Sequence, residues 1–415
     1  MKYNFDKAVN RHNTNCVKWD EMTSNDIIPM WVADMDFETA PCVLEALLKR
    51  MQHGCFGYTF VPESYYEATI QWFQRRHAWT INRNSFIYTS GVVPAISAII
   101  KAMTQEGDQI LTMTPVYNCF FSSIRNNGCQ MVESALKPTT ISVDSGRTAH
   151  TYIVDWEDFE QKCADPKTKV FLLCNPHNPV GRVWTKEELM RMGEICLRHK
   201  VFVISDEIHC EFVTHQSRPE KMAELVGEKE VRFTPFASLS EELAMNSAVC
   251  LSPSKAFNIA GLQIANIIVK DEETRKKVDK AININEVCDV NPFGVIALQA
   301  AYSTEGEEWL EELNQYIHEN DCLAKEMLER ELPQCPLVTL EGTYLQWMNI
   351  STTGKSAQEV ADFLVKEEKV YVNPGTMYGE KAGEGYIRIN LATRREMVET
   401  GVERIIRGIK KIMNK

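Results

Sequence analysis

VFVISDEIHC, residues 201–210, is the stretch on which the fold turns. Val201–Ile204 is apolar at every position rather than at every second one. That pattern fits a strand buried on both faces, as in the interior of a parallel sheet. The run then stops at two adjacent carboxylates, Asp206 and Glu207, with His209 three residues past the aspartate. A carboxylate at the mouth of a core is costly unless a cation meets it. Which cation waits there is the functional question.

Working outward, the chain alternates between strand and helix patterns. SFIYTS (85–90), QILTMTP (109–115), QMVESAL (130–136), KVFLLCNP (169–176) and AVCLSPSK (248–255) read as short strands. GVVPAISAIIKAM (91–103), VYNCFFSSIRNNG (116–128), DWEDFEQKCADPKT (155–168) and TKEELMRMGEICLRHK (185–200) read as helices. Thr185 and Glu188 stand at capping-box spacing. Short apolar strands alternating with helices predict an α/β fold with a mostly parallel sheet covered on both faces.

The pattern changes after about residue 270. A long helical stretch (271–330) precedes the strand patterns PLVTL, TYLQWMNI, KVYVNPG and YIRINLA, and a helix closes the chain. That second set predicts a smaller α+β domain. At the N-terminus, IIPMWVADMDF (27–37) reads as extended, and APCVLEALLKRM as a helix with Pro41 near its start. The expected division is a large domain over 54–285, with 1–53 and 286–415 forming the small one. A chain of 415 residues exceeds what one core usually serves.

Composition narrows the class. A formal charge of −12 argues against a nucleic-acid binder, and no stretch approaches the length of a membrane span. Thirteen cysteines cannot all pair, and they are scattered without C-x-x-C spacing. These features predict a soluble, reduced, cytoplasmic protein.

In open parallel sheets, ligands sit beyond the carboxyl ends of the strands. Those ends carry Gly91-Val92-Val93 opening a helix, Tyr117, the NPHNPVG loop, Asp206 with His209, and Ser252-Pro253-Ser254-Lys255. Helix-start N–H groups and two serines near a lysine suit a phosphate. Tyr117 suits a flat ring, and Asp206 a buried cation. A phosphate, a ring, a ring nitrogen that wants a carboxylate and an amine are the parts of a pyridoxal phosphate site. Lys255 would form the Schiff base, and Asp206 would keep the pyridine nitrogen protonated.

SGVVPAI, NPHNPVGRVW, SDEIHCE, SPSKAFNIAGLQ, EGTYLQW and GEGYIRINLA, in this order, resemble the fold-type-I pyridoxal-phosphate enzymes of the aspartate-aminotransferase superfamily. WVADMDF (31–37) narrows the resemblance to the cystathionine β-lyase branch, the MalY/PatB-like carbon–sulfur lyases. The resemblance implies that Lys255 carries the cofactor and moves the Cα proton, and that Asp206 pairs with the pyridinium. It places Asn178 and His209 near the cofactor's phenolic oxygen and Tyr117 on its ring. Gly91, Val92, Val93, Ser252 and Ser254 would hold the phosphate. Arg388 would clamp the substrate α-carboxylate, with Ala33 on the substrate side. Tyr58, in the GYTF loop, matches a tyrosine that reaches a neighbouring subunit, so the active unit implied is a homodimer with shared sites. Gln263 stands where aminotransferases often have a phosphate-binding arginine, and SRPEKMAELVGEKEVR (217–232) is longer than the family's usual link.

Plainer readings stand beside these. His209 also fits a hydrogen-bonded core histidine, Tyr117 a helix-face aromatic, Tyr58 a side chain buried in its own subunit, and Arg388 a surface ion pair. His209, Cys210 and His215 invite a metal reading but lack a coherent fourth ligand, so no metal is expected. Three functions are compatible with these residues. The first is cleavage of L-cystathionine and related cysteine S-conjugates to a thiol such as homocysteine, pyruvate and ammonia, a step in methionine biosynthesis. The second is a class I/II aminotransferase using the same residues. The third is a protein that keeps the cofactor fold but acts by binding a partner. The sequence does not rank cystathionine against other sulfur amino acids.

Overall fold

The computed structural model describes residues 2–144, 147–214, 216–284 and 289–414. His215 and the expected domain boundary at 285–286 lie outside them.

A seven-stranded sheet forms the centre. Its strands are β1 (Phe86–Thr89), β2 (Gln109–Thr114), β3 (Gln130–Ala135), β4 (Thr168–Cys174), β5 (Phe202–Asp206), β6 (Ser247–Leu251) and β7 (Ala265–Val269). Their order across the sheet is β1-β7-β6-β5-β4-β2-β3. All pairs are parallel except those made by β7, which runs antiparallel to both β6 and β1. The turn of 252–264 explains the exception. It is too short for the helical crossover a parallel return needs, so the chain comes straight back. The turn, with Lys255 in it, therefore sits at the sheet's carboxyl edge.

Side-chain alternation splits the sheet into two cores. Val170, Leu172, Ile204, Ala248, Cys250 and Ile267 face one side, against Ile96, Ile99 and Ile100 of the helix Val92–Met103. Phe171, Leu173, Val203, Val249 and Leu251 face the other, against Trp72, Leu189, Met192 and Phe257. Thr185 and Glu188 make the reciprocal capping box that starts the helix Lys186–Arg198.

A third apolar cluster builds the α+β part. It joins Ile28 and Met30 to Met348, Ile387, Ile389 and Leu391, under the helices Ala357–Glu368 and Arg395–Met413. Its sheet has three antiparallel strands, with Tyr386–Asn390 between Leu345–Asn349 and Asn373–Pro374. The helix Thr304–Glu331 spans about 42 Å at 1.5 Å per residue. It contributes Trp309, Leu310 and Leu313 to one core and Ala324 and Leu328 to the other. No helix among the described residues is long and apolar enough to cross a membrane.

Four segments differ from the sequence reading. Lys137–Asp144 and Arg147–Ile153 pair as an antiparallel hairpin, and β7 extends the sheet. PLVTL is not a strand; Leu337 makes one isolated bridge to Met348.

Candidate active site

The carboxyl edge of the sheet, the segment 31–33 and the strand Tyr386–Asn390 enclose a cavity of about 380 Å³. Gly91, Val92, Val93, Tyr117, Asn178, Asp206, His209, Ser254, Lys255, Arg388 and Ala33 all line it. Residues separated by more than 350 positions thus meet in one place. A cavity of this size holds one small cofactor and an amino acid.

The two carboxylates of the opening stretch part company. Asp206 ends β5 and faces the cavity, where Oδ1 accepts one hydrogen bond from the Ile208 N–H at 3.1 Å. It makes no ion pair among the described residues. Burial pushes its carboxyl up to about 6, although the Ile208 N–H and Lys255 pull the other way. Glu207 turns into the core and accepts from Ser205 Oγ and the Phe236 N–H, both at 2.8 Å. Burial pushes it up to about 8, so it stays protonated at neutral pH. Only Asp206 is therefore poised to meet a cation in the cavity.

Lys255 donates from Nζ to the carbonyl of Ala33. Burial pushes its ammonium below the ordinary lysine range; Arg388 adds to this, and Asp34 and Asp206 oppose it. His209 is buried, with its ring 5.8 Å from that of Tyr344, and its Nδ1 has no partner among the described residues. Burial and the cations of Lys255 and Arg388 hold it well below its ordinary value, so it is neutral.

Arg388 sits on the polar face of its strand, whose other face feeds the third cluster. It is 3% exposed. One terminal nitrogen donates to Asn178 Oδ1 at 3.1 Å and the other to the Trp31 carbonyl at 2.7 Å. Its guanidinium carbon lies 4.7 Å from the centre of the Tyr378 ring. Nε has no partner, and no carboxylate pairs with Arg388 among the described residues. The other two buried arginines differ. Arg182 pairs with Glu188 and Glu341, and Arg218 with Glu341. A buried guanidinium without a carboxylate is a site for an anion from outside the chain.

Asn178 reaches Arg388 because the NPHNPVG loop turns at Gly181. Its φ is +70°, and a Cβ there would lie 2.7 Å from Leu340 Cδ1. Val92 and Val93, also in the lining, open a helix, where the first N–H groups have no intrahelical acceptor, and Ser254 adds a hydroxyl. Ser252 does not line the cavity. Its Oγ donates to the Ile264 carbonyl at 2.6 Å, accepts from the Ser254 N–H at 3.1 Å and lies 2.9 Å from Ser254 Oγ, so it orients Ser254.

Tyr58, like Ser252, is an expected residue that does not line the cavity. It is 98% exposed and absent from the cavity of its own chain. Residues 217–232 also stand away from the cavity, with Arg218 anchoring that segment to Glu341. Gln263 is exposed at the end of a short 3₁₀ turn. Sequence reasoning missed Trp31, Cys119, Asn373 and Tyr378, which share the lining. Among the described residues, His77, Cys210 and Glu211 stand close enough to hold a metal. Glu211 is already taken by Trp72, Arg76 and His77 at 2.6–2.9 Å, which makes it an internal ion-pair network.

The arrangement offers an anion site at a helix start, an aromatic ring at Tyr117, a lone carboxylate, an amine and a second anion site at Arg388. The sequence model of the family described as aminotransferase class I and II matches residues 25–405. The chain belongs to the class I and II aminotransferase family. Within that family it is 40% identical over 406 residues to cystathionine beta-lyase PatB of Bacillus subtilis, covering 97% of this chain and 98% of that protein. It is 30% identical to Protein MalY of Escherichia coli, covering 99% and 100%. The crystal structure of cystalysin from Treponema denticola, which contains pyridoxal 5'-phosphate, superposes with a TM-score of 0.88 at 31% identity, covering 99% of this chain and 100% of that one. The class I and II aminotransferase chain described here thus falls in the MalY/PatB-like branch.

Proposed function

We propose that this protein is a pyridoxal-phosphate-dependent carbon–sulfur β-lyase that cleaves L-cystathionine and related cysteine S-conjugates to a thiol, pyruvate and ammonia. The observation that carries the reading is the shared cavity. Lys255, a lone buried carboxylate at Asp206 and an arginine without a carboxylate at Arg388 all face the same 380 Å³. The cofactor is pyridoxal 5'-phosphate. When bound, it supplies a carbonyl that condenses with amines and a protonated ring that accepts electrons.

The chain's own residues do the rest. Lys255 would tether the cofactor, and its free amine would take the proton from the substrate Cα. Asp206 keeps the ring nitrogen protonated, at a site where an uncompensated carboxylate is already costly. The Val92 and Val93 N–H groups and Ser254 Oγ hold the phosphate, with Gly91 before them and Ser252 behind. Tyr117 would pack against the ring, and Asn178 and His209 would serve its oxygen. Arg388 clamps the α-carboxylate beside Ala33. A thiolate leaves readily, so the step calls for no Lewis acid.

Two features favour the lyase over an aminotransferase. PatB, a curated cystathionine beta-lyase, matches at 40% identity. Gln263 also stands exposed where aminotransferases often place an arginine. The reading includes a cytoplasmic homodimer in which the exposed Tyr58, between exposed Phe56 and Phe60, enters the partner's cavity. It also keeps the division into a cofactor-binding unit over 54–285 and a substrate-clamping unit from 1–53 and 286–415.

The test gives purified protein L-cystathionine with no oxo acid. Many turnovers of pyruvate and homocysteine support the lyase. A single stoichiometric conversion, restored by adding a 2-oxo acid, would favour the aminotransferase.

A further inference from the structure

Residues 31–33 line the cavity without joining a sheet, yet side chains take the carbonyls of 31–35 one after another. Trp31 O accepts from Arg388 at 2.7 Å and from Asn373 Nδ2 at 3.1 Å. Val32 O and Asp34 O both accept from Asn390 Nδ2, at 2.6 and 2.7 Å. Met35 O accepts from Arg11 at 3.0 Å and Asn258 at 2.8 Å. Ala33 O, at the centre, accepts from Tyr344 Oη at 3.0 Å and from Lys255 Nζ. Arg11 and Lys18 pin the same segment through Asp34 and Asp36.

We propose that the Ala33 carbonyl is the docking point that aims the free amine of Lys255, and that Tyr344 is the positioning residue that fixes this carbonyl. The proposal rests on the reading of Lys255 as the base. A lysine has four rotatable side-chain bonds, and a proton transfer needs its nitrogen in one place. A carbonyl oxygen has two lone pairs, one here for each donor. Tyr344 is itself rigid: it is fully buried, and its ring lies 4.8 Å from that of Phe212.

The proton balance is simple. The substrate Cα–H bond breaks, its electron pair stays on the substrate, and the amine of Lys255 becomes an ammonium. Both forms of the nitrogen keep an N–H for Ala33 O. The lone pair that receives the proton is therefore directed throughout.

The test uses the holoenzyme with L-alanine in D₂O. L-alanine has no β-leaving group, so exchange of its Cα proton reads proton transfer alone, in a lyase or an aminotransferase. Tyr344→Phe should slow exchange about tenfold, with the Kd for L-alanine from absorbance titration held within about twofold. Asn390→Ser, which frees the flanking carbonyls, should act in the same direction. In cofactor-free protein, acetylation of Lys255 read by peptide mass should be severalfold faster in Tyr344→Phe, because the ammonium loses its ordered acceptor. Unchanged exchange, or a loss confined to Kd, would overturn the proposal. Wild-type protein that exchanges L-alanine but yields no pyruvate from L-cystathionine would sink the lyase reading and leave this one standing.

Discussion

Arg388 donates to Asn178 Oδ1 at 3.1 Å, joining a strand of the small sheet to the loop after β4. Neither residue brings a negative charge to the pair. A neutral amide orients the guanidinium, and its charge is left for a ligand. The buried Arg182 and Arg218 show the structural alternative, with Glu341 between them.

Arg388→Lys keeps the charge but loses the planar fork. Steady-state kinetics with L-cystathionine should show KM raised about 10–100-fold, with a smaller change in kcat. Equal losses in kcat and kcat/KM at constant KM would place Arg388 in the chemistry rather than in binding.

Asp206→Asn should separate stability from function. The folded chain holds this carboxyl at about 6, against an ordinary 3.8 when unfolded. Between those values the folded state binds the extra proton, so stability falls as pH rises from 3.8 to 6 and stays lowered at higher pH. Removing the charge should therefore stabilise the cofactor-free protein at pH 8 by about 2–3 kcal/mol, a gain that shrinks below about pH 5. Urea midpoints at both pH values measure this. Lyase turnover of the same variant should drop about 100-fold or more, as when a charge-stabilising group is lost.

Glu341→Gln should do the reverse. It strands the buried guanidinium of Arg218 and leaves Arg182 with Glu188 alone, and should cost about 3–5 kcal/mol in urea unfolding. Because Glu341 does not line the Lys255 cavity, the kcat of the folded fraction should hold. An unchanged midpoint would refute the assignment of Glu341 as the counter-ion.

Mixing Lys255→Ala subunits with Tyr58→Ala subunits tests the shared site. Each homodimer should be impaired. Random mixing makes half the dimers mixed, each with one intact site, so activity should return to about a quarter of wild type. No recovery after verified exchange would confine Tyr58 to its own subunit.

Much of the fold and the site was legible in the sequence because strand ends carry chemistry. The apolar run before Asp206 announces a buried parallel strand, and the residues just past the end of such a strand lie at the ligand edge. Tyr344 was not legible as a site residue. Its hydroxyl acts on a backbone carbonyl 311 positions away, and no local spacing encodes that. β7 was missed because ANIIV comes after the Lys255 turn with no helix between. PLVTL has strand composition, but it makes a single bridge, Leu337 to Met348, because the next N–H free to extend it, that of Thr339, goes to the His150 carbonyl instead. Tyr58 shows another limit: it is exposed in the single chain, and the shared site proposed for it involves a second subunit.

The cofactor's tether at Lys255 is the assignment on which all the others depend. Borohydride reduction of the purified protein, then digestion and peptide mass analysis, reads it directly. A reduced phosphopyridoxyl adduct is expected on the peptide containing Lys255, and none in Lys255→Ala. An adduct on a different lysine, or protein that carries no pyridoxal phosphate after incubation with it, would refute the tether.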